Sequence, residues 1–362
     1  MTKTCVQMSV VAFLALGVLG VARGADQPPP GEWKETAVLK GHGKSVSTLA
    51  FSPDGETLAS VDGGGVLKLW DVAAGKAKAT AGGKGQTILA VRFAANGETL
   101  ATVSAEGIVT VWDGKTGKQR SAVRLGLRDA VLTAAFSPDG KLLATTAGNV
   151  VEQQRVAAEV QFWDPATGRK KGVLTGDWLA TGQLHFAPDG KTLVGSCERA
   201  VLKPGDPLCT SEYDLKFWDV SGARIKEVRT LSPGAFYTLS PDGKTLAAAA
   251  TEGKGNKVTG FARVWDAATG KELAVCKGHP DAVGALGFSP DGKLLATGAG
   301  DKMLKVWDAA AGKELAALQH PTWVTSVAFA PDGRTLATAC DDQTVRLWSG
   351  TQPSPGERPE KK

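Results

Sequence analysis

Short runs in which apolar and polar residues alternate fill most of the chain. Val324, Val327 and Phe329 mark one such run, Leu336-Ala337-Thr338 a second, and Val345, Leu347 and Trp348 a third. A Pro-Asp-Gly turn separates the first from the second. A period of two over five or six residues, punctuated by turn residues, predicts short strands rather than long helices. A further turn ending in Gly-Lys, as in Thr269-Gly270-Lys271 and Ala311-Gly312-Lys313, leads to a fourth strand.

This four-strand pattern recurs seven times. The turn between the first two strands reads Ser52-Pro53-Asp54-Gly55, Ala94-Ala95-Asn96-Gly97, Ser137-Pro138-Asp139-Gly140 and Ala187-Pro188-Asp189-Gly190 in the first four repeats. It reads Ser240-Pro241-Asp242-Gly243, Ser289-Pro290-Asp291-Gly292 and Ala330-Pro331-Asp332-Gly333 in the last three. Pro presets φ and Asp-Gly tolerates a left-handed backbone, so each is a tight connection between strands. The third strand ends in Trp70, Trp112, Trp163, Trp218, Trp265, Trp307 or Trp348; six of these precede Asp, and the seventh precedes Ser349.

From each Trp to the next turn Asp or Asn the spacing holds at 26, 27, 26, 24, 26 and 25 residues. From turn to Trp within a repeat it is 16, 16, 24, 29, 23, 16 and 16. The length variation therefore falls between the second and third strands of repeats three, four and five. Four-stranded units repeating every forty-odd residues predict the blades of an all-β propeller, with seven blades of antiparallel strands.

The motifs have a family likeness. Gly41-His42, Gly278-His279, the Ser-Pro-Asp-Gly turns and the Trp-Asp pairs resemble the WD-repeat β-propeller family across residues 41–349. The resemblance implies a seven-bladed ring acting as a non-catalytic interaction scaffold with a protein partner. It also implies a hydrogen-bonded tetrad in some blades: His279, Thr297, Asp301 and Trp307 in the sixth, and His320, Thr338, Asp342 and Trp348 in the seventh. In the first blade Gly64 takes the place of the Asp, leaving His42, Ser60 and Trp70. Blades two to five lack the His. A buried indole N–H and a neighbouring imidazole both need partners, which such a tetrad supplies.

Trp348-Ser349-Gly350 runs into a Pro-rich tail, so the last repeat has no fourth strand of its own. Trp33 to Leu39 precedes Gly41-His42 as a fourth strand precedes Gly278-His279. The N-terminal strand is therefore expected to complete the seventh blade and hide its edge. Residues 33–350 read as the propeller, 25–32 as a linker and 351–362 as a disordered tail.

Composition narrows the classes. The 362 residues are 42% hydrophobic and 22% charged with a formal charge of +5, so the chain can bury a core. That charge is too small for its length to argue for nucleic acid. Heptads, a Gly-x-y period and a set of long apolar spans are all absent from the sequence. One apolar span, Val10 to Ala22, follows Lys3 and ends near small residues. Its thirteen residues suit the core of a signal peptide. Ala22-Arg23-Gly24 places cleavage before Ala25, with Gly20-Val21-Ala22 as the alternative site and an uncleaved anchor as the alternative reading. No Cys follows the cleavage point, which argues against a lipoprotein. Residues 1–24 are thus expected to direct export, leaving a periplasmic or extracellular monomer with no membrane span.

Candidate chemistry is sparse. Of four His, His185 on the fourth repeat's first strand reads as a core or blade-edge residue. No Cys-x-x-Cys occurs, and Gly114-Lys115-Thr116 fails as a phosphate loop because Val stands at position 109 and the segment lies in a turn. No Gly-x-Ser-x-Gly elbow falls between a strand and a helix. The reading is of no enzyme, no cofactor and no metal. The alternatives are a propeller enzyme or small-ligand binder using the central channel, and a structural envelope component anchored by its tail.

Two features are left for recognition. The insertions near Gly148–Ala158, Glu198–Glu212 and Thr251–Thr259 emerge on one face of consecutive blades, where a rigid scaffold displays binding loops. Trp178 and Trp323 fall in connections that reach the same face, and exposed Trp is enriched at interface hot spots. Cys197 and Cys209 flank the longest insertion. They are expected to bridge its base in an oxidising compartment.

Overall fold

In a computed structural model the chain forms a ring of seven four-stranded antiparallel sheets. The structure describes residues 32–350 except 84, 127–130, 148–149, 152–153, 156–158, 177–179, 202–209, 223–224, 232–235 and 255–256. Blade one comprises β2 (Val46–Phe51), β3 (Thr57–Asp62), β4 (Val66–Asp71) and β5 (Lys76–Gly82), and blade two β6 (Ile88–Phe93), β7 (Thr99–Ser104), β8 (Ile108–Asp113) and β9 (Gln119–Arg124). Blade three holds β10 (Val131–Phe136), β11 (Leu143–Ala147), β14 (Glu159–Trp163) and β15 (Lys170–Thr175), with a small hairpin of β12 (Val150–Val151) and β13 (Gln154–Arg155) between its middle strands.

Blade four contains β16 (Ala180–Phe186), β17 (Thr192–Val201), β18 (Thr210–Asp219) and β19 (Lys226–Leu231). Blade five contains β20 (Tyr237–Leu239), β21 (Thr245–Lys254), β22 (Lys257–Asp266) and β23 (Glu272–His279). Blade six is built of β24 (Val283–Phe288), β25 (Leu294–Ala299), β26 (Met303–Asp308) and β27 (Glu314–Gln319).

The seventh blade closes the ring as the repeat pattern predicts. Its order is β1 (Trp33–Leu39), β30 (Val345–Gly350), β29 (Thr335–Cys340) and β28 (Val324–Phe329). β1 lies antiparallel to β30, with Trp33 opposite Gly350 and Leu39 opposite Val345. The innermost strands β2, β6, β10, β16, β20, β24 and β28 each touch the next, and β28 touches β2.

The local sequence dictates the turns. All seven turn glycines, at 55, 97, 140, 190, 243, 292 and 333, have φ between 66° and 75°. That region costs a residue with a Cβ about 1–2 kcal/mol. In the Ser-Pro-Asp-Gly version the Ser hydroxyl donates to the Asp carboxylate, as Ser289 does to Asp291 at 2.6 Å. The Asp in turn accepts the Lys293 N–H at 3.1 Å.

Packing lies between blades rather than within them. Each cluster of buried side chains joins two neighbouring sheets. Leu49, Phe51, Leu58 and Trp70 of blade one meet Ala337, Val345 and Leu347 of blade seven. Trp163 of blade three joins Val103 and Val109 of blade two. A sheet buries one face only by covering it with the next, so stability comes from the complete circle.

The described parts of two insertions, 198–201 with 210–212 and 251–254 with 257–259, are strand rather than loop, which corrects the expectation there. In blade four β17 and β18 stay paired from Thr192–Asp219 out to Val201–Thr210. In blade five the ladder runs from Thr245–Asp266 to Lys254–Lys257. The middle strands of blades one, two, six and seven have only six residues each, against ten in these hairpins. Blades three, four and five therefore carry β-hairpins standing on one face of the ring.

The same ladder removes the spacing argument for a Cys197–Cys209 bond. The strand does not end at Cys197; it continues to Val201 and sets Cys197 opposite Asp214. Cys209 lies outside the described residues. Cys276 and Cys340 are buried, and burial pushes each thiol up to about 12, so both are inert.

Candidate functional site

The tetrad of the sixth blade forms as the resemblance implies. His279 Nδ1 lies 2.8 Å from Asp301 Oδ2 and Nε2 lies 2.7 Å from Thr297 Oγ1. The Trp307 indole N–H donates to the same hydroxyl at 2.8 Å. This network fixes the tautomer: Nδ1–H donates to the carboxylate and Nε2 accepts from the Thr hydroxyl. Burial lowers the pKa of His279 against the raising effect of Asp301, so the ring is neutral near pH 7.

The seventh blade departs from it. His320 Nε2 meets Thr338 Oγ1 at 2.9 Å, and the Trp348 N–H reaches that hydroxyl at 3.1 Å. His320 Nδ1, however, donates to the Leu318 carbonyl at 3.0 Å. Asp342 turns instead to Arg346, at 3.3 Å, and accepts from the Thr344 hydroxyl at 2.6 Å. Asp342 is therefore no member of the tetrad; the Arg346 guanidinium, which β1 also engages through Glu35 at 2.8 Å, draws the carboxylate away.

The first blade departs in the opposite direction. The carboxylate that Gly64 cannot supply comes from Asp62, two residues earlier and at the end of β3. Its Oδ2 lies 3.1 Å from His42 Nδ1, while Ser60 Oγ lies 2.6 Å from His42 Nε2 and accepts from Trp70 at 2.7 Å. Burial alone would raise the Asp62 carboxyl, but the Val66 and Gly64 N–H groups and His42 hold it below the usual carboxylate range. A search at the turn position misses Asp62. The cue in the sequence is an acid closing a strand of otherwise apolar and small residues.

Blades two and three keep half of the arrangement. The Trp112 indole N–H donates to Thr102 and that of Trp163 to Thr145, each at 2.9 Å. Blade four has Gly195 at the hydroxyl position, and a Cβ there would stand 2.7 Å from the Trp218 ring. The indole thus fills the space a Thr would occupy.

Blades four and five are joined by polar groups that the repeat pattern does not reveal. The Gln183 N–H donates to Ser196 Oγ at 2.8 Å, and Gln183 Oε1 accepts the Tyr237 N–H at 3.0 Å. The Tyr237 hydroxyl donates to the Val194 carbonyl at 2.7 Å. The His185 ring packs on Tyr237 with centroids 4.9 Å apart. His185 is thus a core residue, and burial pushes its pKa down to about 4.

A pH prediction follows from His185. The unfolded imidazole takes a proton near pH 6.5 while the folded one resists until about pH 4. The unfolded state therefore binds more protons across that window, and stability falls as the pH falls. The expected loss attributable to His185 is about 3 kcal/mol between pH 7 and pH 4. Urea unfolding of wild type and His185→Gln at the two pH values checks this. The variant should show the smaller acid loss; equal losses refute the assignment.

The Ser/Thr-His-Asp sets resemble a hydrolytic triad in composition but not in access. The His42 and His279 side chains have no exposed surface. Each hydroxyl is held between an imidazole nitrogen and an indole N–H, so a reacting carbonyl has no approach. Among the described residues no group of three or more His, Cys, Asp or Glu is placed to hold a metal ion.

One of the two candidate recognition residues lies on the hairpin face. Trp323 is 49% exposed, in the connection from β27 to β28. Its indole rests on Gly284 of blade six, where a Cβ would come within 3.1 Å of the ring. Its carbonyl accepts the Asp341 N–H at 3.1 Å. That bond ties the connection into blade seven to the turn between its middle strands, the turn equivalent to the hairpins of blades three to five. Trp178 lies outside the described residues.

Comparison with known proteins agrees with this geometry. The family model described as WD domain, G-beta repeat matches residues 33–71, 75–113, 270–308 and 312–349. The matched segments leave out the middle strands of the three blades that carry hairpins; the third begins with β23, the outer strand of blade five. Nuclear distribution protein PAC1 of Arthroderma benhamiae is 24% identical over 292 residues, covering 76% of this chain and 62% of the relative. Nuclear distribution protein PAC1-2 of Uncinocarpus reesii is 27% identical over 301 residues, with the same coverage of 76% and 62%. WD repeat-containing protein SL1-17 of Schistosoma mansoni is 27% identical over 158 residues, 44% of this chain and 46% of the relative. The chain thus spans less than two thirds of the length of the relatives it matches. With four repeats matched by the model and seven blades carrying the terminal Trp, the chain is a seven-bladed β-propeller that carries WD repeats.

Proposed function

We propose that this propeller is an exported interaction scaffold whose protein partner docks on the face bearing the hairpins of blades three, four and five. WD-repeat propellers serve as protein-binding platforms, and the relatives' names carry no catalytic activity. The observation that supports the choice of face is the asymmetry of the ring. Blades four and five extend their middle strands beyond what closure requires, and blade three carries a small separate hairpin in the same connection. Hairpins held by a rigid ring lose little freedom on docking. Trp323 adds a half-exposed aromatic anchor to that face.

Export rests on the apolar run Val10 to Ala22 behind Lys3, with cleavage before Ala25. No helix among the described residues is long and apolar enough to cross a membrane.

The test is quantitative capture from the native host. Bait proteins would be wild type, a variant with 199–212 and 252–258 each replaced by a two-residue turn, and Trp323→Ala. One protein recovered with wild type should fall at least tenfold with the hairpin variant and severalfold with Trp323→Ala. The mature bait should begin at Ala25. Unchanged recovery with both variants removes the face assignment, and an intact Met1 in exported protein removes the cleavage site.

A further inference from the structure

The end of the channel opposite the hairpins holds a cation in an apolar wall. Each innermost strand has one residue directly before its closing Phe or Leu. In ring order these are Ala50, Arg92, Ala135, His185, Thr238, Gly287 and Ala328. Six are small or neutral; His185 is neutral because burial pushes its pKa down to about 4. Arg92 is the only cation of the seven.

Arg92 lines a small cleft of about 40 Å³ at the inner edges of blades one to four. Phe51, Phe93, Phe136 and Phe186 form its wall, with Pro53 beside them. Those Phe residues close their strands, so the cleft opens on the side of the Ser-Pro-Asp-Gly turns.

The guanidinium is poorly matched by the protein. Among the described residues its one hydrogen bond runs from Nη2 to the Pro138 carbonyl at 3.4 Å. Nε is buried without a partner. Asp139 attracts it through space but forms no ion pair, being held by the Ser137 hydroxyl at 2.7 Å and the Lys141 N–H at 3.0 Å. Blade two also carries Asn96 where the other six turns carry Asp, so its own turn offers no carboxylate. An arginine fork with several donors unused, against aromatic walls, favours a planar anion with an apolar body. Burying it without such a partner is costly.

We propose that this mouth of the channel binds a carboxylate carried on an apolar stem, the carboxylate on Arg92 and the stem against Phe51 and Phe136. The site lies on the face opposite the hairpins and does not depend on the docking face proposed above.

Calorimetric titration of the full chain with 3-phenylpropanoate, its neutral amide and inorganic phosphate tests this. Saturable binding of 3-phenylpropanoate is expected, at least tenfold tighter than the amide or phosphate. Arg92→Met should lose at least tenfold in affinity while melting no lower than wild type, since it removes an unmatched buried charge. Arg92→Lys keeps the charge without the fork and should bind with an intermediate affinity; it also serves if the Met variant fails to fold. Absence of binding to wild type overturns the proposal, as does equal binding of acid and amide. Tighter binding of phosphate than of 3-phenylpropanoate overturns the apolar stem, and full affinity in either variant overturns the role of Arg92.

Discussion

A chain that begins at Lys40 should not yield a stable monomer. Removing the preceding residues takes β1 from blade seven and with it Trp33 and Leu39, both buried. Trp33 packs edge-on against Phe329 at 5.9 Å and covers Gly350. Losing a buried Trp costs about 3–5 kcal/mol and a buried Leu about 2–5 kcal/mol. Together these rival the whole net stability of a folded domain, about 5–15 kcal/mol. The Thr36 bond to the Leu347 carbonyl at 3.2 Å and the Glu35–Arg346 pair at 2.8 Å go as well. β30 would then present an open, largely apolar edge, which invites association. Size-exclusion chromatography should show aggregates or swapped oligomers in place of the monomer. A peptide of residues 32–40 added in trans should restore part of the soluble material by supplying the missing strand. A truncated monomer that melts at the wild-type temperature would contradict the closure.

The second large effect separates carboxylates that the repeat pattern treats alike. Asp62→Ala and Asp301→Ala each leave a buried His Nδ1–H without its acceptor, at a cost of about 1–3 kcal/mol. Asp342→Ala leaves His320 untouched, because its Nδ1–H already donates to the Leu318 carbonyl. It loses a half-buried contact to Arg346 and the cap on Thr344, for about 1 kcal/mol or less. Urea unfolding at pH 7 should therefore rank Asp62 and Asp301 above Asp342. Asp301→Asn should be milder than Asp301→Ala, since the amide oxygen can still accept. Equal losses at all three positions would falsify the distinction.

That ranking shows what the sequence can and cannot carry. Seven turns and seven terminal Trp at fixed spacing specify blade number, strand order and closure by β1, because each is set by local backbone chemistry repeated at constant register. The tetrads were legible only as a template. His279 obeys it because Asp301 stands in the turn four residues after Thr297. Blade one meets the same need from Asp62, two residues after Ser60, and blade seven diverts Asp342 because Arg346 offers a stronger counter-charge. Such choices depend on which groups converge after folding, and spacing does not encode that.

Spacing locates the insertions but does not say what kind of structure blades four and five build there. Extra residues between two strands look the same whether they form a loop or lengthen both strands, and only the ladder from Cys197–Asp214 to Val201–Thr210 distinguishes them. Arg92 was invisible for a related reason. One basic residue in a strand means little until its six counterparts around the ring are seen to be small or neutral.

The pairing of β1 with β30 also sets a clock. Thr36 and the Leu347 carbonyl it bonds are 311 residues apart. At synthesis rates of about 5–20 residues per second, β1 waits roughly 15–60 s for its partner. During that interval six blades can assemble side by side, but the circle stays open and β1 remains exposed to proteases and to other nascent chains. Closure is then a single late event that demands both ends of the propeller at once. A pause in elongation near the last repeat would lengthen the vulnerable period without changing the final structure. Synonymous codon changes confined to that stretch should therefore alter yield while leaving the melting temperature of the surviving protein the same.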